Sequence, residues 1–504
     1  MDYQKLQNGS DIRGVALEGI AGEPVNLTPV QAKEIARAFV LWLSKKTGRP
    51  AQELRIAVGR DSRLSGPALE EGVLEGLTAQ GACAFRCAMA STPAMFMSTV
   101  LPGFTFDGSV MITASHLPWN RNGLKFFTAD GGLEKGDITQ LLTLCQEGLP
   151  AGEKTGTITS CDLMPAYAAH LREVIRKGIN DPDHPDKPLT GFKIAVDAGN
   201  GAGGFFPRMV LEPLGADTSA SVYLEPDGHF PNHIPNPENK EAMDSIRRAV
   251  LEGGCDLGII FDTDVDRAGA VDRDGEELSR NRLIGLMAAI VAEDAPGSVI
   301  VTDSVTSAEL KTFIEEDLGC VHHRFKRGYK NVINEAIRLN KEGKVSLLAM
   351  ETSGHGALKE NYFLDDGAYL SAKIIIKAAR LRREGRTVGQ LLEKLGEPLE
   401  AKEFRMKISL PDFKAYGAQV LADLEQYAKG REDWVPAPDN HEGFRASIPA
   451  SKGWFLLRMS LHDPLMPLNI ESNLPGGVDA IVEQLKEFLQ NYPGLDLSVL
   501  EKKG

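Results

Sequence analysis

The chain has 504 residues, of which 42% are hydrophobic and 25% charged, and carries a formal net charge of −14. That length exceeds what one hydrophobic core organises and predicts about three or four domains. The acidic balance excludes a protein that grips nucleic acid through a broad basic field, and no apolar run approaches the roughly 20 residues needed to span a bilayer.

The first residues, MDYQKLQNGSDIRG, lack the basic-then-apolar pattern of a secretory signal, so cytoplasmic residence is expected. The six cysteines (83, 87, 145, 161, 255 and 320) are scattered. Cys83 and Cys87 have no second pair at zinc-like spacing, which favours reduced thiols over a metal site. "LRIAVGRDSRLSG" (54–66) then runs from a β-branched strand into a polar turn, and a helix-compatible segment follows.

"SVMITASHLPWNRNGLKFF" (109–127) is a second kind of strand, apolar and ending abruptly in Thr-Ala-Ser-His. Two loop-like stretches, 147–158 and 180–191, flank a helix expected over 165–178. The two strand patterns then recur in order. "FKIAVDAGNGAGG" (192–204) and "SVIVTDSVTSAEL" (298–310) repeat the first; "LGIIFDTDVD" (257–266) and "SLLAMETSGH" (346–355) repeat the second. Between them, "DRDGEELSRNR" (272–282) reads as a hairpin turn before a helix. Three related α/β domains follow from this threefold order, with polar loops beyond the carboxyl ends of strands, where ligands collect in such sheets. After about residue 400, "EFRMKISLP", "FRASIPA" and "GWFLLRMSL" alternate as strands of a smaller α+β domain.

Asp262, Asp264 and Asp266, followed by Arg267, form the strongest chemical signal. In an extended segment, carboxylates two residues apart point to one side, and a divalent cation relieves their repulsion. Oxygen-only ligands favour Mg²⁺ or Ca²⁺. An EF-hand is excluded, because Arg267 and Arg273 stand where its Gly and Glu belong. Mg²⁺ completes its octahedron with phosphate oxygens, and the Arg267 fork suits phosphate, so a metal and a phosphoryl group are expected together. Ser115, read alone, is more often a turn or N-cap residue than a nucleophile, and it lacks the G-x-S-x-G elbow of hydrolases.

"TASHLPWNRNGLKFF", "DTDVDR" and "ETSGH", in that order, resemble the α-D-phosphohexomutase superfamily, which includes phosphoglucomutase, phosphomannomutase and phosphoglucosamine mutase. The family's serine loop reads T-A-S-H-N-P followed by N-G-x-K, its metal loop D-x-D-x-D-R and its sugar loop G-E-x-S-G-H. The resemblance covers nearly the whole chain. It implies four domains around a central cleft: a phosphoserine domain (1–158), a metal-binding domain (159–275), a sugar-binding domain (276–398) and a phosphate-binding α+β domain (399–504). It also implies that Ser115 carries the phosphoryl group, whose oxygen completes the Mg²⁺ set of Asp262, Asp264 and Asp266. Arg267, Arg13, His116 and Lys125 would lie beside that group, with Lys125 moving a proton. Glu351, Ser353 and His355 would bind sugar hydroxyls, with His355 available as acid or base. Lys326, in "FKRGYKN", would contact ligand.

The fourth domain departs most. Its R-x-S-x-T-E-P-like phosphate loop here reads "RMSLHDPLMP" (458–467), keeping Arg458 and Ser460 but changing Leu461, His462 and Asp463. Leu117 and Met350 are smaller departures. The activity implied is reversible transfer between α-hexose 1-phosphate and hexose 6-phosphate through a 1,6-bisphosphate, which also serves as activator. Glucose or mannose is the expected sugar, since the glutamine of many glucosamine-specific members is missing from 351–355. The partners implied are small sugar phosphates rather than nucleic acid or membrane, with the protein a monomer or dimer. Two alternatives stay open: a hexose 1,6-bisphosphate synthase using the same serine, and a non-catalytic sugar-phosphate-binding paralogue.

Overall fold

The computed structural model describes residues 2–460 and 463–501. By contact density the chain falls into two units, residues 1–290 with 353–392, and residues 291–352 with 393–504. The altered-loop residues Leu461 and His462 lie outside the described residues.

In the first unit, the sheet runs Gln7–Asn8, Asp11–Val15, Arg121–Thr128, Gly108–Ile112, Arg55–Arg60, Cys83–Met89 and Ile158–Ser160 in hydrogen-bonded order. The two kinds of predicted strand prove to be neighbours: Arg55–Arg60 lies parallel to Gly108–Ile112, with Ile56 opposite Gly108. Gly108–Ile112 is buried at every position, as a strand covered on both faces must be. Its core includes Phe39, Leu43 and Leu74 from the helices Pro29–Thr47 and Gly66–Ala79. A Thr28 capping box starts the first of these helices and left-handed Gly48 ends it.

The same pairing recurs twice. Ile194–Asp197 is parallel to Leu257–Phe261 in the first unit, and Val299–Thr302 is parallel to Leu348–Met350 in the second. Two chain segments after polar loops return antiparallel, Arg121–Thr128 beside Gly108–Ile112 and Ala268–Asp272 beside Leu257–Phe261. The sheets are therefore mixed, and the turn at 272–277 and the helix Arg280–Asp294 follow as predicted.

The crossover helices differ between repeats. Gly66–Ala79 is a full α-helix, whereas the segment after Ile194–Asp197 is a π-turn, Phe206–Leu211, passing into a single 3₁₀ turn, Glu212–Leu214. Pro207 and Pro213 each remove an amide donor, so a regular α-helix cannot form across them.

The C-terminal part is α+β. Its strands run in the order Glu400–Lys407, Leu465–Ser472, Gly453–Leu457, Phe444–Ile448 and Val435–Pro436. All four ladders are antiparallel, and the amphipathic helices Phe413–Ala428 and Gly477–Leu489 bury Val420, Leu424, Ile481 and Leu485 against them. Among the described residues no helix is long and apolar enough to cross a membrane.

Candidate active site

Ser115 sits three residues beyond the strand Gly108–Ile112, in the left-handed region at φ 51°. A non-glycine residue held there is strained, and such strain collects where a side chain must be aimed. The Thr113 hydroxyl accepts from the Ser115 amide at 2.9 Å. Thus oriented, Ser115 Oγ donates to Asp262 Oδ2 at 2.9 Å, joining two loops 147 residues apart in sequence.

Asp262, Asp264 and Asp266 come together by a different route from the one expected. The segment is a tight turn, with Val265 at φ 67°, rather than an extended strand end. A β-branched residue is rarely left-handed, and its carbonyl accepts from the Gly367 amide at 3.0 Å, which helps to hold the turn. Folded this way, the three carboxylates bring ligand oxygens within 4.8 Å of one another, all buried. Asp264 Oδ1 and Asp266 Oδ1 have no hydrogen-bond partner among the described residues. Two orphaned buried acceptors in an all-oxygen set fit a hard divalent cation.

The charges are closely balanced. Burial pushes Asp262 well above the usual carboxylate range, and repulsion from Asp266 and Asp264 adds to it. Lys125, on the strand Arg121–Thr128, places Nζ 3.1 Å from Asp264 Oδ2 and against Asp266 Oδ2. Burial opposes the ammonium charge, but these two carboxylates outweigh it and hold Lys125 charged. Asp266 is held ionised by Lys125, His355 and Arg267 despite its burial. The Thr92 hydroxyl donates to Asp264 Oδ2 at 2.5 Å.

Arg267 donates from its backbone to Asp262 Oδ1 at 3.2 Å and from Nε to His355 Nε2 at 2.9 Å. The other ring nitrogen of His355 faces Asp365, whose carboxylate raises the imidazole's pKa against the opposing effect of burial. His116 Nδ1 lies 3.3 Å from Ser115 Oγ. Its pKa is driven down to about 2, first by the nearby Arg267 charge and then by burial and Arg13, so it stays neutral. Arg13 pairs with Asp11 at 2.8 Å and donates to the Thr113 carbonyl at 2.8 Å. Ser353 is buried, and its hydroxyl has no partner among the described residues.

The first unit therefore gathers Ser115, His116, Lys125, Arg13, the three aspartates, Arg267, Ser353 and His355. Glu351, Lys326, Arg458 and Ser460 belong to the second unit, whose boundary passes through the Glu351–His355 motif. There Glu351 Oε1 accepts from the Gly328 amide at 2.6 Å. Lys326 is exposed, 6.0 Å over the Phe325 ring. Its neighbour Arg327 is the residue whose charge bears on Asp303, a carboxyl pushed up to about 7 chiefly by burial. Arg458 is buried, with Nε unpartnered among the described residues and Glu442 as the first charge that offsets its desolvation. Ser460 Oγ accepts from the Asp463 amide at 3.2 Å.

Sequence reasoning missed Arg63, Thr92, Arg327 and Asp365. Thr92 and Asp365 lie outside the quoted motifs, Arg63 stands in "GRDSR" (59–63) directly after a predicted strand, and Arg327 lies inside "FKRGYKN", beside the Lys326 that was singled out there.

Comparison with known proteins agrees with this architecture. Models of phosphoglucomutase/phosphomannomutase α/β/α domains I, II and III match residues 4–145, 166–275 and 279–398. A phosphoglucomutase of Neisseria gonorrhoeae is 31% identical over 481 residues, covering 95% of this chain and 96% of its own. A phosphomannomutase/phosphoglucomutase of Pseudomonas aeruginosa is 29% identical over 485 residues, covering 96% and 95%. The crystal structure of a phosphoglucomutase/phosphomannomutase family protein from Burkholderia thailandensis superposes with a TM-score of 0.79 at 26% identity, covering 98% of this chain and 99% of that one. With three domain models in sequence order and near full-length relatives, the chain belongs to the phosphoglucomutase/phosphomannomutase family of α-D-phosphohexomutases.

Proposed function

We propose that this protein interconverts α-hexose 1-phosphate and hexose 6-phosphate, with glucose or mannose as the sugar, through a phosphorylated Ser115 and a bound 1,6-bisphosphate. The hydrogen bond between Ser115 Oγ and Asp262 carries the proposal, because it puts a hydroxyl directly on the acidic cluster. The relatives' names support the same activity.

In this reading the O–P bond of phospho-Ser115 breaks as phosphorus bonds to the sugar's 6-oxygen. The hydroxyl proton passes to His355, and the released serine oxygen takes a proton from Lys125. Arg267 turns its fork to the phosphoryl oxygens, while Arg13 and the neutral His116 border the group. Mg²⁺ held by Asp262, Asp264, Asp266 and the phosphate on Ser115 would supply further charge neutralisation. After the bisphosphate reverses, its 1-phosphate returns to Ser115 and the 6-phosphate leaves. Glu351 and Ser353 accept and donate to sugar hydroxyls, and Lys326, Arg458 and Ser460 bind the phosphate that is not being transferred.

We further assign four domains, 1–158, 159–275, 276–398 and 399–504, to serine, metal, sugar and distal phosphate respectively. Residence in the cytoplasm as a monomer or dimer is part of the same proposal.

The test is a coupled assay with glucose 1-phosphate, mannose 1-phosphate and glucosamine 1-phosphate, started with the corresponding bisphosphate. Ser115→Ala should lower turnover by at least about 10⁴-fold while leaving the unfolding transition in place. Full activity in Ser115→Ala overturns the covalent role. Accumulation of free 1,6-bisphosphate in place of 6-phosphate would instead support the synthase.

A further inference from the structure

Ser115 is aimed by a loop, residues 113–121, that has little regular structure of its own. Such a segment must still satisfy its backbone carbonyls. The Ala114 carbonyl accepts from the Leu117 amide at 3.1 Å, and the Asn120 carbonyl accepts from Ala16 and Leu17 amides at 2.8 and 3.1 Å. Arg13 takes the Thr113 carbonyl at 2.8 Å.

One side chain takes four of the others. Arg63 Nη1 donates to the carbonyls of Pro118 and Arg121 at 2.8 and 3.0 Å. Arg63 Nη2 donates to the carbonyls of Ser115 and Leu117, the latter at 2.7 Å. A guanidinium offers five N–H donors in a rigid fork, so four carbonyls nearly exhaust it. The fifth, on Nε, faces Asp61 Oδ2 at 3.4 Å.

Arg63 is fully buried, which is costly for a charge without compensation. Asp61 supplies the counter-charge, and its Oδ1 accepts from the Arg63 amide at 3.0 Å. The Phe230 ring covers the guanidinium at 5.4 Å. The covering segment approaches so closely that a Cβ on Gly228 would lie 2.5 Å from the Leu64 nitrogen and the Ser62 carbonyl oxygen. A cation this enclosed does not meet solvent, and its hydrogen bonds go to the backbone that carries Ser115.

We propose that Arg63 is a positioning residue for phosphoryl transfer: its buried fork gathers the carbonyls of residues 115, 117, 118 and 121 and holds Ser115 in its strained left-handed conformation with the hydroxyl on Asp262. This rests on the reading of Ser115 as the phosphate carrier. A lysine at 63 keeps the charge but has three donors on one nitrogen, so it cannot span four carbonyls.

The test compares full-length wild type, Arg63→Lys and Phe230→Leu by backbone hydrogen exchange, read by mass spectrometry, and by steady-state kinetics with glucose 1-phosphate. For Arg63→Lys, exchange across 113–121 should rise at least about tenfold while Leu257–Phe261 stays protected. Turnover should fall about 100-fold with KM within about threefold, the signature of a misaimed nucleophile rather than lost binding. Phe230→Leu should show the same pattern more weakly and decides the matter if Arg63→Lys does not fold.

Exchange and kcat both unchanged within about threefold in the folded variants would overturn the proposal. So would exchange that rises uniformly over the first unit, which marks a general stabilising role. If wild type neither carries phosphate on Ser115 nor turns over hexose phosphates, the functional reading fails, while the exchange comparison still decides whether Arg63 holds this loop.

Discussion

Arg458 is a buried cation whose donors are only partly used within the protein. It is 4% exposed, Nη1 reaches the Met459 carbonyl at 3.3 Å, and Nε has no partner among the described residues. An arginine buried with spare donors suits an anion that can accept from it. Arg458→Ala is expected to raise KM for glucose 1-phosphate at least about tenfold while changing kcat less, as loss of a charge-assisted contact made throughout the reaction should. Steady-state kinetics checks it, and an unmoved KM removes Arg458 from the substrate site. At this scale the sequence was informative wherever a loop motif was continuous. That Ser115, Asp262 and Lys125 lie close to one acidic cluster was legible from their diagnostic neighbours, whatever their roles. Arg63 and Asp365 were not, since what they do depends on backbone and side chains brought near by folding.

At the scale of elements, the strands were easier to read than the helices. Each of the six strands predicted in the α/β part begins or ends close to its observed bounds, because β-branched runs between turn residues leave few alternatives. The helical segment after Ile194–Asp197 forms as π and 3₁₀ turns rather than a regular α-helix, with Pro207 and Pro213 interrupting its amide ladder. The acidic segment failed in another way: its turn, with Val265 left-handed, brings the carboxylates together without strand geometry. Arg121–Thr128 illustrates how tightly the strands fix the site. A Cβ on Gly123 would lie 2.2 Å from the Ile12 carbonyl oxygen and 2.8 Å from that of Thr113. Gly123→Ala should therefore push apart the strands carrying Arg13 and Lys125, lowering stability by about 2 kcal/mol. Thermal unfolding checks it, and an unchanged midpoint would show that the backbone yields without cost.

At the scale of the molecule, the threefold α/β order was legible and the contact-defined division was not. The chain passes between units at 290, 352 and 392, and no change of composition marks these points. The second unit also carries a pH dependence of its own. Glu471 is raised to about 7, by burial first and then by Glu309, against the opposing charge of Arg445. Its carboxyl accepts from Trp454 Nε1 at 2.9 Å, and Arg445 stacks on that indole at 3.5 Å. Because the folded form binds this proton more tightly than the unfolded chain, its contribution is most favourable below the ordinary carboxylate value. It is lost as pH rises towards 7. Glu471→Gln should leave stability near pH 4 unchanged and raise it by about 2 kcal/mol at pH 8. Urea unfolding at both values measures the difference; parallel pH profiles for the two proteins would refute it.

The left-handed backbone at Ser115 has an evolutionary corollary. Glycine and asparagine occupy that conformation more readily than serine does. Natural drift to either would relieve strain as it erased the hydroxyl that meets Asp262. If Ser115 carries the phosphoryl group as proposed, silent descendants of such a protein would be sturdier than their working ancestors.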